Sequence, residues 1–139
     1  MADKVIELLG GVPLFSELTR KELRAIVSAA KEVTHKEGDV LAREGDRGIG
    51  FFVIAEGSAK VTIGGRGRGK LGPGDFFGEI SLLDEGPRSA SVVAESPMRL
   101  YGLTAWNFRQ MVSQNPAIAQ KLLKVMAGRL RKSSKDLTH

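Results

Sequence analysis

Gly74-Asp75-Phe76-Phe77-Gly78-Glu79-Ile80-Ser81-Leu82-Leu83-Asp84-Glu85-Gly86-Pro87-Arg88-Ser89-Ala90 is the stretch around which the chain is organised. It reads as a glycine turn, a short apolar helical turn, a second turn and the entry to a strand. One carboxylate (Glu79), one guanidinium (Arg88), one hydroxyl (Ser89) and several free backbone N–H groups fall within it. Unpaired N–H groups at a helix start sit at the positive end of the dipole and form a ready anion site. An arginine adds a planar, permanently charged fork suited to phosphate oxygens. A carboxylate would repel a phosphate, so Glu79 should meet a different part of the ligand, such as a hydroxyl. The stretch asks for a small molecule with an anionic phosphate and a donor hydroxyl close together.

Working outward, short runs punctuated by glycine surround it. Val40-Leu41-Ala42, Phe51 to Ala55 and Ala59 to Ile63 precede it; Ser91 to Ala94 and Met98 to Leu103 follow. In the third run Ala59, Val61 and Ile63 share one face, with Lys60 and Thr62 on the other. Asp39 and Glu44, with Gly45-Asp46 following, fit turn positions. Short strands separated by turns imply an antiparallel sandwich or barrel.

Helical patterns lie at both ends. Asp3 to Leu9 forms a short amphipathic helix stopped by Gly10-Gly11, and Val12 to Phe15 is an apolar connector. Thr19 and Glu22 have capping-box spacing, and Leu23, Ile26, Val27 and Ala30 then recur on one helix face. A further helix starts at Thr104 and reaches Met111. Asn115-Pro116 opens the last one, with Asn at the cap and Pro at the first position. Ile118, Leu122, Leu123, Val125, Met126 and Leu130 are its apolar stripe, and Gly128 weakens it by about 1 kcal/mol relative to Ala. The expectation is an α+β fold in one domain, 1–139: N-terminal helices over 1–31, a β-barrel over 32–104 and C-terminal helices over 105–139.

A chain of 139 residues, 42% apolar, is the size of one domain with a real core. The absence of cysteine excludes disulfides and thiolate metal sites. No apolar run approaches transmembrane length, and Met1-Ala2-Asp3-Lys4 lacks the basic start of a signal peptide, so a soluble cytoplasmic protein is expected. The net charge of +5 is uneven: residues 1–120 balance, and the whole excess lies in 121–139. Such a tail suits a solvated helix end whose cations complement the C-terminal dipole. Nucleic acid or an acidic membrane is the competing use.

Other motifs give way on inspection. Gly64 to Lys70 has a P-loop's glycine and lysine spacing, but Leu71 stands where Ser or Thr should hold magnesium. A hairpin turn rich in positive φ explains the segment better, and also its two Arg-Gly steps, which otherwise hint at RNA. The two histidines, His35 and His139, belong to no motif, and neither zinc spacing nor a nucleophile elbow is present. Glu79 with Asp84 or Glu85 would be the only carboxylate pair, and the latter two lie in a solvated turn. The chain reads as a binding module and not an enzyme, with no metal and no cofactor. Nothing after residue 116 has the length of a helix-turn-helix following the last helix.

At Phe77-Gly78-Glu79-Ile80 and Pro87-Arg88-Ser89-Ala90 the sequence resembles the cyclic-nucleotide-binding domain family. This is the ligand module of catabolite activator proteins, cyclic-nucleotide-regulated kinases and gated channels. Val12 to Ser16 looks like the family's N-terminal helical motif; Gly38-Asp39, Glu44-Gly45-Asp46 and Gly57-Ser58 fit its turns. Ser81 stands where the family often has alanine. The resemblance implies a stand-alone, bacterial-like jelly roll (a double-stranded β-helix) with a short phosphate-cassette helix and a C-terminal lid helix. Arg88 would pair with the cyclic phosphate, with Ser89 Oγ and Ala90 N–H on its oxygens. Glu79 would accept from the ribose 2′-OH with Gly78 N–H nearby, and Ile80 and Ser81 complete the cassette. Val61 would touch the base or sugar, and Leu123, Met126, Ala127 and Leu130 are lid candidates. Ser89 follows the arginine where the kinase branch has alanine for cAMP and threonine for cGMP, and by that rule its hydroxyl leans to cGMP. Bacterial catabolite activators carry serine there and bind cAMP, so cAMP is favoured over cGMP.

Taken singly, the site residues have plainer readings: Arg88 bridging Asp84 or Glu85, Glu79 capping a backbone N–H, Ser89 as a turn hydroxyl. The expected partners are the cyclic nucleotide and, through the C-terminal helix, a second copy or an effector protein. The competing functions are an interaction domain of the same fold that binds no nucleotide, and a ligand-sensing fragment of a channel, kinase or transcription regulator.

Overall fold

The computed structural model describes residues 2–47, 50–78, 82 and 86–138, with side-chain surroundings up to residue 132. Helix α1 (Ala2–Gly10) ends at the glycine pair, and a 3₁₀ turn (Pro13–Phe15) leads to α2 (Arg20–Ala29). Thr19 closes a true capping box: Glu22 N–H donates to Thr19 Oγ1 at 3.2 Å, and Thr19 N–H donates to Glu22 Oε1 at 2.8 Å. Two orphan donors of the first turn are thereby satisfied.

Eight strands follow among the described residues: β1 (Lys31–His35), β2 (Val40–Ala42), β3 (Gly50–Glu56), β4 (Ala59–Ile63), β5 (Arg66–Leu71), β6 (Phe76–Phe77), β7 (Ser91–Ala94) and β8 (Met98–Thr104). They form two antiparallel sheets, ordered β1-β8-β3-β6 and β2-β7-β4-β5. This is the expected jelly roll.

Burial explains why β3 reads as an unbroken apolar run. Phe51 and Val53 face the helices, where they join Leu14, Phe15, Ile26, Phe108 and Ile118 in one cluster. Ile54, with Phe52 beside it, faces the second sheet and joins Ala59, Val92, Ala94 and Leu100 in another. A strand covered on both faces has no polar side to alternate with. Phe15 meets Phe51 edge to face, 5.8 Å between centroids, which ties the N-terminal turn to the first sheet.

Three readings change. The 64–71 segment is not only a turn: Gly64 and Gly65, at φ 58° and 78°, make the hairpin turn, and Arg66–Leu71 pairs with β4 as a strand. Alternating arginine and glycine carry no apolar signal, so backbone pairing alone reveals it. Phe76-Phe77, which were given no strand above, pair with Phe52 and Val53 of β3. Ile63, expected to point inward with Ala59 and Val61, is 38% exposed. The ladder slips between Val61 and Thr62, and β4 runs out toward the hairpin.

Helix α3 (Ala105–Gln114) is capped by Thr104, whose Oγ1 accepts from Asn107 N–H at 3.1 Å, and extends past Met111. Helix α4 (Pro116–Thr138) follows directly. The Asn115 amide donates back to the Met111 carbonyl at 2.8 Å and so closes α3. The stripe expected on α4 divides. Ile118 and Leu122 are buried and Met126 packs beside them, but Leu123 and Leu130 are 69% and 66% exposed. Lys121–Glu22 (2.6 Å) and Lys124–Glu17 (3.3 Å) hold α4 against α2 and the segment before it. With Ile118 and Leu122 packed into the core, Leu123 and Leu130 lie to one side of the buried line. Among the described residues no helix is long and apolar enough to cross a membrane.

Candidate functional site

The backbone around Arg88 is fixed before its side chain is considered. Arg88 N–H donates to the Asp46 carbonyl at 2.7 Å, and Gly45 N–H donates to the Arg88 carbonyl at 2.9 Å. Pro87 forms a β-bridge with Arg47. The segment entering β7 is thus clamped to the Glu44-Gly45-Asp46 turn, where Gly45 has φ 86°. The turn is held from its other side too: Glu44 N–H donates to Ser91 Oγ at 2.9 Å, and Glu44 Oε1 accepts from Gly64 N–H at 2.8 Å.

The guanidinium then reaches across to the first sheet. Arg88 Nη2 donates to the Gly50 carbonyl at 2.7 Å. Gly78, just past β6, passes directly beneath it with φ 83°, a conformation that favours glycine. A Cβ at Gly78 would lie 2.5 Å from the Gly50 oxygen and would also overlap Arg88 Nη1. Arginine, glycine and carbonyl therefore fit only because residue 78 has no side chain. Burial lowers the Arg88 pKa from its ordinary value. It remains a cation, since arginine is not deprotonated in proteins. Among the described residues its side-chain hydrogen bond goes to a neutral carbonyl, and an anion arriving beside it would gain a charge-assisted contact.

A groove of about 290 Å³ opens beside Arg88, lined in part by Leu41, Arg43, Asp46, Arg47 and Phe52. It lies at the lower end of small-molecule sites in size and has their usual composition, an apolar wall with a few charged groups. Phe52 stacks on Phe77 at 5.3 Å between centroids. Val61 is half-buried and packs, with Leu41, Phe52 and Phe77, against the cluster between the sheets. Ser89 is exposed and Ala90 half-buried on the same entry to β7.

Gly78 and Arg88 thus meet from either end of the opening stretch, and Ser89 and Ala90 follow Arg88 on the entry to β7. Val61 lies on the apolar side of the barrel interior. Glu79, Ile80 and Ser81 lie outside the described residues, as do Asp84 and Glu85 and most of the expected cassette helix. Leu82 is buried in the helix-side cluster. Of the lid candidates, Met126 packs on that cluster, whereas Leu123, Ala127 and Leu130 are exposed. Sequence reasoning missed Gly50, whose contribution is a carbonyl oxygen and leaves no mark in residue type. It also missed Arg43 and Arg47, although both flank the glycine turn that clamps Arg88. Among the described residues no group of three His, Cys, Asp or Glu side chains comes together.

Known proteins share this fold. The crystal structure of the N-terminal domain of a transcriptional regulator from Streptomyces coelicolor A3(2) superposes with a TM-score of 0.87 at 31% identity, over 95% of this chain and 96% of that one. Thermus thermophilus catabolite activator protein superposes at 0.70 with 34% identity, over 91% of this chain and 62% of that one. In sequence, the Thermus thermophilus cyclic AMP receptor protein is 34% identical over 132 residues, 91% of this chain and 61% of that protein. A cyclic nucleotide-gated potassium channel of Mesorhizobium japonicum is 38% identical over 114 residues, 82% of this chain and 32% of that protein. The chain thus spans about a third to three-fifths of the length of these two relatives. Residues 32–115 match the cyclic nucleotide-binding domain model, and the chain belongs to that family.

Proposed function

We propose that this domain binds a 3′,5′-cyclic nucleotide, cAMP in preference to cGMP, and acts as a regulatory module whose last helix closes over the ligand. The observation that carries the reading is Arg88: a half-buried guanidinium at a groove, positioned by backbone contacts on two sides and resting on a carbonyl. The cyclic phosphate takes the exposed edge of that fork, with Ser89 Oγ and Ala90 N–H as further donors. Glu79 accepts from the ribose 2′-OH, with Gly78 N–H beside it and Ile80 and Ser81 completing the cassette. Val61 supports the sugar or base. A buried carboxylate deprived of its donor is costly, so 2′-deoxy ligands bind poorly. Serine after the arginine, and the likeness to a cyclic AMP receptor protein, favour cAMP.

Closure draws on what α4 leaves exposed. Burying Leu123 and Leu130 over a bound base stabilises the closed state by about 1.5–3 kcal/mol for each side chain fully covered. Ala127 lies on the same exposed face, and Met126 adjoins it on the packed side. Opposing this, the Lys121–Glu22 and Lys124–Glu17 pairs hold the helix where it is. A ligand shifts such a balance only by its differential affinity for the two states. The readout passes to an effector or a second copy through α4. The module carries no chemistry of its own.

Calorimetric titration of cAMP, cGMP and 2′-deoxy-cAMP against native protein and Arg88→Ala tests this. Binding is expected for cAMP, weaker binding for the other two, and a loss of about 100-fold in the mutant, the scale of removing one partner of a buried charge-assisted contact. No heat from either cyclic nucleotide at high micromolar concentration sinks the proposal. Equal binding by the mutant overturns the site.

A further inference from the structure

Strand β5 stands at the rim of the second sheet, with β4 on one side and no described strand on the other. Arg66 to Lys70 are exposed throughout. Arg66, Arg68 and Lys70 alternate with Gly67 and Gly69, and Lys60 is the cross-strand partner of Lys70. The result is four cations on one ribbon. Lys70 approaches Glu95 at 3.7 Å while remaining 75% exposed. Arg66 and Arg68 form no ion pair with a described residue.

The glycines keep the edge open. A Cβ at Gly69 would meet nothing within 4 Å, and one at Gly67 only Lys60 Cε at 3.7 Å. An exposed edge of this kind offers unpaired N–H and C=O groups to another extended chain. Its charge selects the occupant. A second copy would set arginines and lysines opposite one another, which is destabilising. An acidic strand meets the same backbone groups with charges of the right sign. Nucleic acid is the weaker fit, because residues 59–71 contain no aromatic side chain on which bases could stack.

We propose that the β5 edge is a docking site for an extended acidic segment of a protein partner, which adds as a strand beside Arg66–Leu71 and pairs its carboxylates with Arg66, Arg68 and Lys70. The probe is a capped octapeptide of alternating glutamate and valine, titrated into isotopically labelled protein with backbone amide shifts and hydrogen exchange as readouts. Its lysine–valine counterpart and a twelve-nucleotide oligothymidine serve as comparisons. The expected result is perturbation and slowed exchange centred on residues 66–71, with no binding of the lysine peptide. Affinity is expected to fall roughly tenfold or more in the double variant R66E/R68E and with added salt. Should that variant fail to fold, R66Q/R68Q carries the same test with a smaller loss. The proposal is overturned if the glutamate peptide does not bind, if the charge variants bind it equally, or if the perturbed amides lie elsewhere. Tighter binding of oligothymidine to the same residues would overturn the protein partner in favour of nucleic acid.

Discussion

Arg88 is held in a geometry that a lysine cannot copy. Its Nη2 donates to the Gly50 carbonyl, and its Nη1 passes over Gly78. Arg88→Lys keeps the charge but loses the fork, and should weaken cyclic nucleotide binding by about tenfold in calorimetry, well short of the loss in Arg88→Ala. Gly78 is the second residue on which the Arg88 geometry depends. Gly78→Ala forces a side chain into positive φ and against the Gly50 oxygen, a strain of about 1–3 kcal/mol. It should lower the urea midpoint and displace the guanidinium, so that stability and ligand affinity fall together. Loss of stability with affinity unchanged would separate Gly78 from the site. Arg88 and Gly78 stand out in the sequence because their residue types are chemically specific. Gly50 does not, because any residue supplies a carbonyl.

At the level of elements, β3 and α2 show two different sources of order. β3 is fixed by burial on both faces, and Phe51, wholly buried against Phe15, is its anchor. Phe51→Ala should cost about 3–5 kcal/mol in denaturant unfolding, through lost burial and the cavity left behind. α2 is fixed at its start by local chemistry, and Thr19→Ala should cost about 1 kcal/mol through the lost cap. The capping box was legible from two residues three apart. The division of the α4 stripe was not: the spacing of Leu122, Leu123, Met126 and Leu130 permits several rotations, and packing of Ile118, Leu122 and Met126 on distant core residues selects one. Strand β5 was illegible for the opposite reason, since arginine and glycine show no periodic burial to detect.

Across the whole molecule, acid should loosen the joints between elements. Hydrogen bonds from Lys121 hold Glu22 below the ordinary carboxylate pKa, the Lys36 N–H does the same for Asp39, and Arg99 for Glu56. Carboxylates with lowered folded pKa values take up protons more readily when unfolded. Their contribution is complete above the unfolded range, about pH 4, and is lost as pH falls through the lower folded values. Thermal melting should therefore be flat between pH 6 and 7 and drop toward pH 3. Lys121→Ala should shrink the part of that drop due to Glu22, and an unchanged acid limb would show that the α2–α4 pair contributes nothing. By itself the sequence determined the strand-rich middle between helices, the turns at Gly38, Gly45 and Gly57, the capping box, and the Arg88 motif. Each rests on local periodicity, backbone permissiveness or a short motif that needs no distant partner. Only the tertiary structure decided what Arg88 rests on, which side of α4 stays exposed, and that an arginine–glycine run closes the second sheet as an edge. Those outcomes depend on backbone carbonyls, core packing and strand pairings between residues far apart in the chain, which no local pattern encodes.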